Sequence, residues 1–129
     1  MVLIMADDLG YHDLGGYGHP KIKTPVLDRL AKRGVKLTAF YAGATVCTPS
    51  RMALMTGSYP TRLGWSKGVV GHILSTDHGL SPQSVTMAER FKAAGYKTAM
   101  SGKWHLGDRP PFRPHRQLSL IHISEPTRP

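Results

Sequence analysis

The pattern of apolar and polar positions divides the chain into strand-like and helix-like segments. Met1 to Ala6 is a continuous apolar run, which is typical of a parallel strand that is buried on both faces. Val35 to Tyr41 and Tyr96 to Ser101 are further strand-like segments. Because helix-like segments lie between them, the pattern predicts an α/β fold with a mainly parallel sheet flanked by helices.

Two of the predicted helices have clear start and stop signals. Thr24 is followed by a proline, which favours a helix start, and Gly34 marks its end. Thr86 and Glu89 have the spacing of a capping box, and Gly95 is the expected C-cap. We therefore expect one helix before the second strand and another before the third.

A third helix is predicted directly after the only cysteine, Cys47, which cannot form an internal disulfide. Thr48 is a good N-cap, Pro49 suits the first helical position, and Gly57 is a natural stop. Cys47 would then face the positive end of the helix dipole, with Arg51 one turn away. Both features favour an anion, so we interpret Cys47 as a reactive centre rather than a buried small hydrophobe.

Polar side chains follow each of the three predicted strands. Ligands bind beyond the carboxyl ends of the strands in parallel α/β sheets, so these side chains are predicted to converge on one edge. The candidate site residues are Asp7, Asp8, Cys47, Arg51, Lys103 and His105.

The chemistry of these candidates points to a metal and an anion. Asp7 and Asp8 are hard oxygen ligands suited to calcium or magnesium, although they could instead only cap the following turn. Lys103 and His105 alternate along an extended segment and would face the same side. Lys103 could hold an anionic oxygen and His105 could move a proton, the alternative being an exposed lysine and a structural histidine.

Composition bounds the partners of the chain. The 129 residues suffice for one modest domain, and 17 Lys and Arg against 8 Asp and Glu give a net charge of +9. This charge suits anionic partners, but the basic residues are dispersed and match no nucleic-acid-binding motif, so we expect no nucleic acid partner. No apolar stretch approaches the length of a membrane span, and no secretory signal is visible.

Together, a hard metal, an activated nucleophile and surrounding cations suit the transfer or hydrolysis of a phosphate or sulfate ester. One alternative is a cysteine-dependent phosphatase, although those enzymes use a longer loop than the three residues between Cys47 and Arg51. Another is a basic, non-enzymatic fragment that binds anions, for which steep salt dependence would be diagnostic.

Three separated motifs in the chain each match a motif of one known family. Cys-Thr-Pro-Ser-Arg at 47–51 matches the signature Cys-x-Pro-x-Arg, and Leu-Met-Thr-Gly continues it at 54–57. Ala-Asp-Asp-Leu-Gly at 6–10 and Gly-Lys-Trp-His-Leu-Gly at 102–107 match two further family motifs. In sequence and order, these motifs resemble those of the type I sulfatase family, with a texture closest to arylsulfatases and galactosamine-6-sulfatases.

The resemblance implies an alkaline-phosphatase-like fold and hydrolysis of sulfate esters, either aryl sulfates or sulfated glycans and lipids. It implies that a formylglycine-generating enzyme converts Cys47 to formylglycine, whose hydrate attacks sulfur and later expels sulfate. By position, Asp7, Asp8 and modified Cys47 would bind Ca²⁺, with Mg²⁺ the alternative. Arg51 would stabilise the hydrate, Lys103 would bind sulfate, and His105 would hydrogen-bond the hydrate.

The resemblance covers residues 1–117, which we interpret as an N-terminal part of the catalytic domain that begins inside its first strand. The family's remaining metal ligands, second histidine and second lysine would follow downstream, so we expect these 129 residues alone to lack turnover. Residues 118–129 do not resemble the family, and we expect no native structure there, because the tail resembles translated sequencing-adapter DNA. A lysosomal, secreted or, in a bacterium, periplasmic location would fit the family.

Overall fold

The computed structural model describes residues 1–66, 68–70, 78–118 and 121–123. The chain forms two compact units. Unit 1 comprises Met1–Tyr41 and unit 2 comprises Ala42–Pro129.

Unit 1 contains one α-helix, where the sequence predicts it. Helix α1 spans Pro25–Arg33, with Thr24 at its N-cap and Gly34 at its C-cap. The Thr24 hydroxyl accepts a hydrogen bond from the Gly15 amide at 2.9 Å and donates to Oδ1 of Asp28 at 2.8 Å. This threonine therefore links the helix start to the preceding loop. Two short 3₁₀ helices precede α1, at Tyr11–Asp13 and Gly15–Tyr17.

The two strands predicted for unit 1 are not present, so that prediction is wrong for this structure. Neither Met1 to Ala6 nor Val35 to Tyr41 forms a strand, and the side chains of Met1, Val2 and Ile4 are 91%, 86% and 86% exposed. The physical reason is that a parallel strand is stabilised by hydrogen bonds to neighbouring strands and by cover on both faces. No residue of unit 1 provides either.

Unit 2 contains the remaining helices. The capping box predicted at Thr86 is confirmed, since Thr86 Oγ1 accepts from the Glu89 amide and a Glu89 oxygen accepts from the Thr86 amide. Ala94 is the C-cap of this helix, so the predicted C-cap Gly95 lies one residue beyond it, with a φ of +86°. The elements are α2 at Cys47–Thr56, a 3₁₀ helix at Pro60–Leu63, α3 at Met87–Ala93 and α4 at Pro114–Gln117.

Removing the cap hydroxyl is expected to destabilise unit 2. Thr86 is fully buried, so Thr86→Ala should lower the free energy of unfolding by about 1–2 kcal/mol, while Thr86→Ser should restore most of the loss. Urea unfolding followed by tryptophan fluorescence measures this, because Trp65 and Trp104 are the only tryptophans and both are buried in unit 2. A serine variant as unstable as the alanine variant would contradict the capping role.

The sheet of unit 2 is small and parallel. Strand β1 spans Ala99–Ser101, shorter than the predicted segment from Tyr96, and pairs in parallel with β2 at Ile121–Ile123. The structure therefore differs from the expectation of a structureless tail, both at residues 121–123 and at Leu118, which is fully buried. Burial of this apolar side chain supplies the reason for local order. The rest of the tail, 119–120 and 124–129, lies outside the described residues.

The hydrophobic core lies entirely in unit 2 among the residues described. It brings together α2, the loop after the 3₁₀ helix at Pro60–Leu63, α3 and the segment that follows β1. Its buried members are Met52, Trp65, Val70, Leu80, Ala88, Trp104, Leu106 and Leu118. No helix in the described part of the chain is long and apolar enough to cross a membrane.

Candidate functional site

The candidate site in unit 2 is built on the first turn of α2. The helix begins at Cys47, and Val46 in an extended conformation serves as the N-cap, its carbonyl accepting from the Ser50 amide at 3.1 Å. The helix thus starts two residues earlier than the sequence predicts. Pro49 is tolerated there because the first amides of a helix have no partner within the helix, so its missing N–H costs nothing.

Thr48 is not the N-cap that the sequence predicts. It lies inside the helix and is fully buried, and its hydroxyl bonds to groups outside the helix. Thr48 Oγ1 donates to the carbonyl oxygen of His105 at 3.0 Å and accepts from the amide of Val70 at 3.1 Å. Thr48 therefore has the residue type of a cap but makes long-range contacts, which a local sequence pattern cannot reveal.

Cys47 is half-exposed and forms no disulfide. As the first residue of α2, it lies where the helix dipole concentrates partial positive charge from unsatisfied amides. Arg51 follows one turn later on the same helix. The positive end of a helix and a nearby guanidinium both favour a negatively charged group at this position, as the sequence predicts.

Arg51 connects this helix to the Lys103–His105 segment. Its Nη1 donates a hydrogen bond to the carbonyl oxygen of Lys103, a residue 52 positions later in the chain. Together with the bond from Thr48 to His105, this contact joins both ends of the segment to the first turns of α2. The structure therefore brings Cys47, Arg51, Lys103 and His105 into one region of unit 2.

His105 has an unusual backbone and a defined imidazole contact. Its φ is +56°, and Asp8 is the only other non-glycine residue with a positive φ in the described part of the chain. The imidazole Nε2 lies 3.0 Å from the carbonyl oxygen of Val70. A carbonyl oxygen can only accept, so Nε2 carries the proton, and in the neutral ring the lone pair is on Nδ1.

A tightly packed loop supports the segment that carries Lys103 and His105. The Leu80 amide donates to the carbonyl oxygen of Leu106 at 2.8 Å, and Trp104 Nε1 donates to the carbonyl oxygen of Phe112 at 2.9 Å. Leu106 is fully buried and Trp104 is buried. These contacts hold the residues directly before and after His105.

Thr48 and Val70 are the site residues that sequence reasoning missed. Val70 contributes only its backbone amide and carbonyl groups to His105 and Thr48. Its own position is supported by Trp65, whose Nε1 donates to the Gly68 carbonyl at 3.0 Å. Backbone groups leave no signal in residue identity, and the sequence therefore offered none for Val70.

Asp7 and Asp8 lie in unit 1, where both are exposed. Asp8 has a φ of +54°, a conformation that aspartate adopts more readily than most residues. No three His, Cys, Asp or Glu side chains are grouped to hold a metal anywhere in the described ranges. In type, the two carboxylates match the hard oxygen donors that calcium and magnesium prefer, but they are too few for a complete shell.

Comparisons with known proteins connect these motifs to one family. A family model described as Sulfatase matches residues 1–115. Human arylsulfatase A is 54% identical over 110 residues, which cover 85% of this chain and 21% of that protein. Mouse steryl-sulfatase is 57% identical over 109 residues, covering 82% of this chain and 18% of that protein. Pig N-acetylgalactosamine-6-sulfatase is 40% identical over 126 residues, covering 88% and 23%.

Solved structures give the same result for the fold. The crystal structure of Ps i-CgsB matches with a TM-score of 0.85 and 34% identity, over 94% of this chain and 26% of that one. A 2-O GAG sulfatase matches with a TM-score of 0.69 and 26% identity, over 95% and 24%. The chain spans about a fifth of the length of the curated relatives named above.

Proposed function

The chain belongs to the sulfatase family, which has the alkaline-phosphatase-like fold, and on that basis we propose that it carries the nucleophile and sulfate-binding groups of a sulfate ester hydrolase. The observation that supports this best is the pair of hydrogen bonds from α2 to the 103–105 segment. They join Arg51 to Lys103 and Thr48 to His105 across 52 and 57 residues of sequence. Two separate family motifs thereby meet at the helix start that carries Cys47.

The proposed nucleophile is residue 47 after conversion of its thiol to formylglycine, whose hydrate supplies an oxygen that can attack sulfur. At the first position of α2, this oxygen would lie in the positive field of the helix N-terminus, which favours negative charge. Arg51 would add a fixed positive charge one turn away. These groups stabilise charge that develops during attack, which is usually a large contribution to catalysis.

Lys103 and His105 are proposed to act on the substrate side. Lys103 is exposed, so its ammonium can reach a sulfate oxygen, and its backbone is held by Arg51. When the His105 ring is neutral, with its proton on Nε2, Nδ1 is the atom that can accept a hydrogen bond from a hydroxyl at residue 47. Their proposed roles are sulfate binding for Lys103 and proton handling for His105.

A divalent cation is proposed to complete this chemistry, with Ca²⁺ favoured and Mg²⁺ the alternative. Asp7, Asp8 and an oxygen of modified residue 47 would be its ligands from this chain. Carboxylates and oxygens are the donors that both cations prefer. When bound, the cation would neutralise negative charge on the sulfate group.

The proposed substrates are sulfate esters of aryl alcohols, glycans or lipids. The proposed maturation partner is a formylglycine-generating enzyme, which would act on residues 47–51. A lysosomal, secreted or periplasmic location is proposed with the family's activity.

Conversion of Cys47 is the test that bears most directly on this proposal. When the chain is produced together with a formylglycine-generating enzyme, mass spectrometry of the peptide that contains residue 47 should show an aldehyde in place of the thiol. Arg51→Ala should abolish the conversion, whereas Arg62→Ala, at an exposed arginine in the next helix, should leave it intact. An unmodified thiol combined with phosphate ester turnover would support a cysteine-dependent phosphatase instead.

A further inference from the structure

Thr48, Val70 and His105 form a closed ring of hydrogen bonds. Thr48 Oγ1 donates to the His105 carbonyl at 3.0 Å and accepts from the Val70 amide at 3.1 Å. The His105 imidazole closes the ring through Nε2, which lies 3.0 Å from the Val70 carbonyl. The amide and carbonyl of Val70 and the carbonyl and imidazole of His105 therefore all belong to one small network.

This ring determines two properties of His105. The first is its left-handed backbone, at a φ of +56°, which a non-glycine residue retains only when its surroundings hold it there. The second is the tautomer of the ring, because donation from Nε2 to the Val70 carbonyl leaves the neutral lone pair on Nδ1. Thr48 contributes to both properties, because its hydroxyl donates to the His105 carbonyl and accepts from the Val70 amide.

The position of Thr48 makes this network relevant to the reaction. It is the residue that directly follows Cys47, and it is fully buried in the first turn of α2. One side chain thus ties the orientation of His105 to the helix that carries the proposed nucleophile. Without these hydrogen bonds, the Thr48 hydroxyl, the Val70 amide and the His105 carbonyl would be left unsatisfied, which is costly for buried groups.

We infer that Thr48 is a positioning residue that fixes the backbone and the tautomer of His105 through its hydrogen bonds to the His105 carbonyl and the Val70 amide. Its full burial gives it no surface for a substrate to contact. The inference rests on the proposed function only in the role that it gives to His105.

Nitrogen-15 NMR of labelled histidines tests the inference on the whole chain. His105 signals are assigned by their loss in His105→Gln, and spectra are recorded at mildly alkaline pH, where a free imidazole is neutral. The wild-type ring should be predominantly the Nε2–H tautomer. Thr48→Val, which keeps the shape but removes the hydroxyl, should reduce that population several-fold, and Thr48→Ser should restore it.

A matched control is available in the same helix. Thr56 donates its hydroxyl to the Met52 carbonyl at 2.8 Å, so Thr56→Val makes the same chemical change without a contact to His105. The His105 signals of this variant should equal those of the wild type. Tryptophan fluorescence confirms that each variant is folded.

Several outcomes would overturn the inference. A wild-type ring that is mainly the Nδ1–H tautomer would do so without any variant, even if Thr48→Val failed to fold. A folded Thr48→Val with unchanged His105 signals, or a folded Thr48→Ser that behaves like valine, would do so as well. In a longer natural chain with turnover, Thr48→Val should lower kcat by up to about 10²-fold with little change in KM, as expected when a reacting group is misplaced.

The NMR result and the proposed function can fail separately. The spectra depend on Thr48, Val70 and His105 and do not require modification of residue 47. Conversely, failure of Cys47 conversion would contradict the proposed function while leaving the tautomer of His105 as measured.

Discussion

In a longer natural chain that carries these residues, replacing Cys47 with alanine is expected to lower kcat for sulfate ester hydrolysis by roughly 10⁴- to 10⁶-fold. Losses of this size occur when an enzyme is deprived of its covalent nucleophile, because the remaining groups can bind and polarise the substrate but cannot replace the attacking atom. An alanine at the start of α2 can acquire neither an aldehyde nor a hydrate. The change is also small enough for the half-exposed position to tolerate.

The assay requires a longer natural chain that carries these residues, because this chain spans about a fifth of the length of its curated relatives. That protein is produced with a formylglycine-generating enzyme and tested on a chromogenic aryl sulfate. Val46→Ala is the matched control, since Val46 precedes Cys47, is exposed and caps the helix through its backbone only. Full turnover by Cys47→Ala would refute the proposed nucleophile.

The second large effect is expected at two glycines that support the 103–107 segment. A Cβ atom at Gly79 would overlap the Leu106 carbonyl oxygen, and one at Gly107 would overlap Cβ of Phe112. Gly107 also has a φ of +123°, which is strained for any other residue. We expect Gly79→Ala to lower the free energy of unfolding by about 1–3 kcal/mol and Gly107→Ala by about 2–5 kcal/mol.

Two further glycines in unit 2 separate overlap from backbone strain. Gly57 has a φ of +68° but open space around its Cα, so Gly57→Ala should cost about 1–2 kcal/mol from strain alone. Gly68 has neither feature, so Gly68→Ala should stay within about 0.5 kcal/mol of wild type. Urea unfolding followed by tryptophan fluorescence measures all four variants. If Gly107→Ala were no less stable than Gly57→Ala, the close approach to Phe112 would be absent in solution.

The glycine series also bears on the site. Leu106 directly follows His105, and its carbonyl accepts a hydrogen bond from the Leu80 amide. A displaced Leu106 would therefore shift His105, which carries the proposed proton-handling group. Tight packing transmits such shifts because a close-packed interior has little free volume in which to absorb them. Stability and site geometry are therefore coupled in this loop.

Helices were the part of the fold that the sequence predicted best. α1 begins after Thr24 and α3 after the Thr86 capping box, as expected, because start signals act within a few residues of the chain. The strands were predicted poorly. Met1 to Ala6 and Val35 to Tyr41 have apolar patterns typical of strands, but a strand requires a partner, and the pattern of one segment does not contain that partner.

The sequence alone determined the chemical identity of the candidate site. The residue types at Asp7, Asp8, Cys47, Arg51, Lys103 and His105, together with three motifs in order, sufficed to indicate the family, which the comparisons confirmed. Only the tertiary structure decided how Thr48 and Val70 are used. Thr48 has the local pattern of a cap but contacts a residue 57 positions away, and Val70 acts through backbone groups that every non-proline residue possesses. A motif shows which side chains are present, but it does not show which distant groups they bond to. The hydrogen bonds that support this site join residues far apart in the sequence, so they depend on how the chain folds.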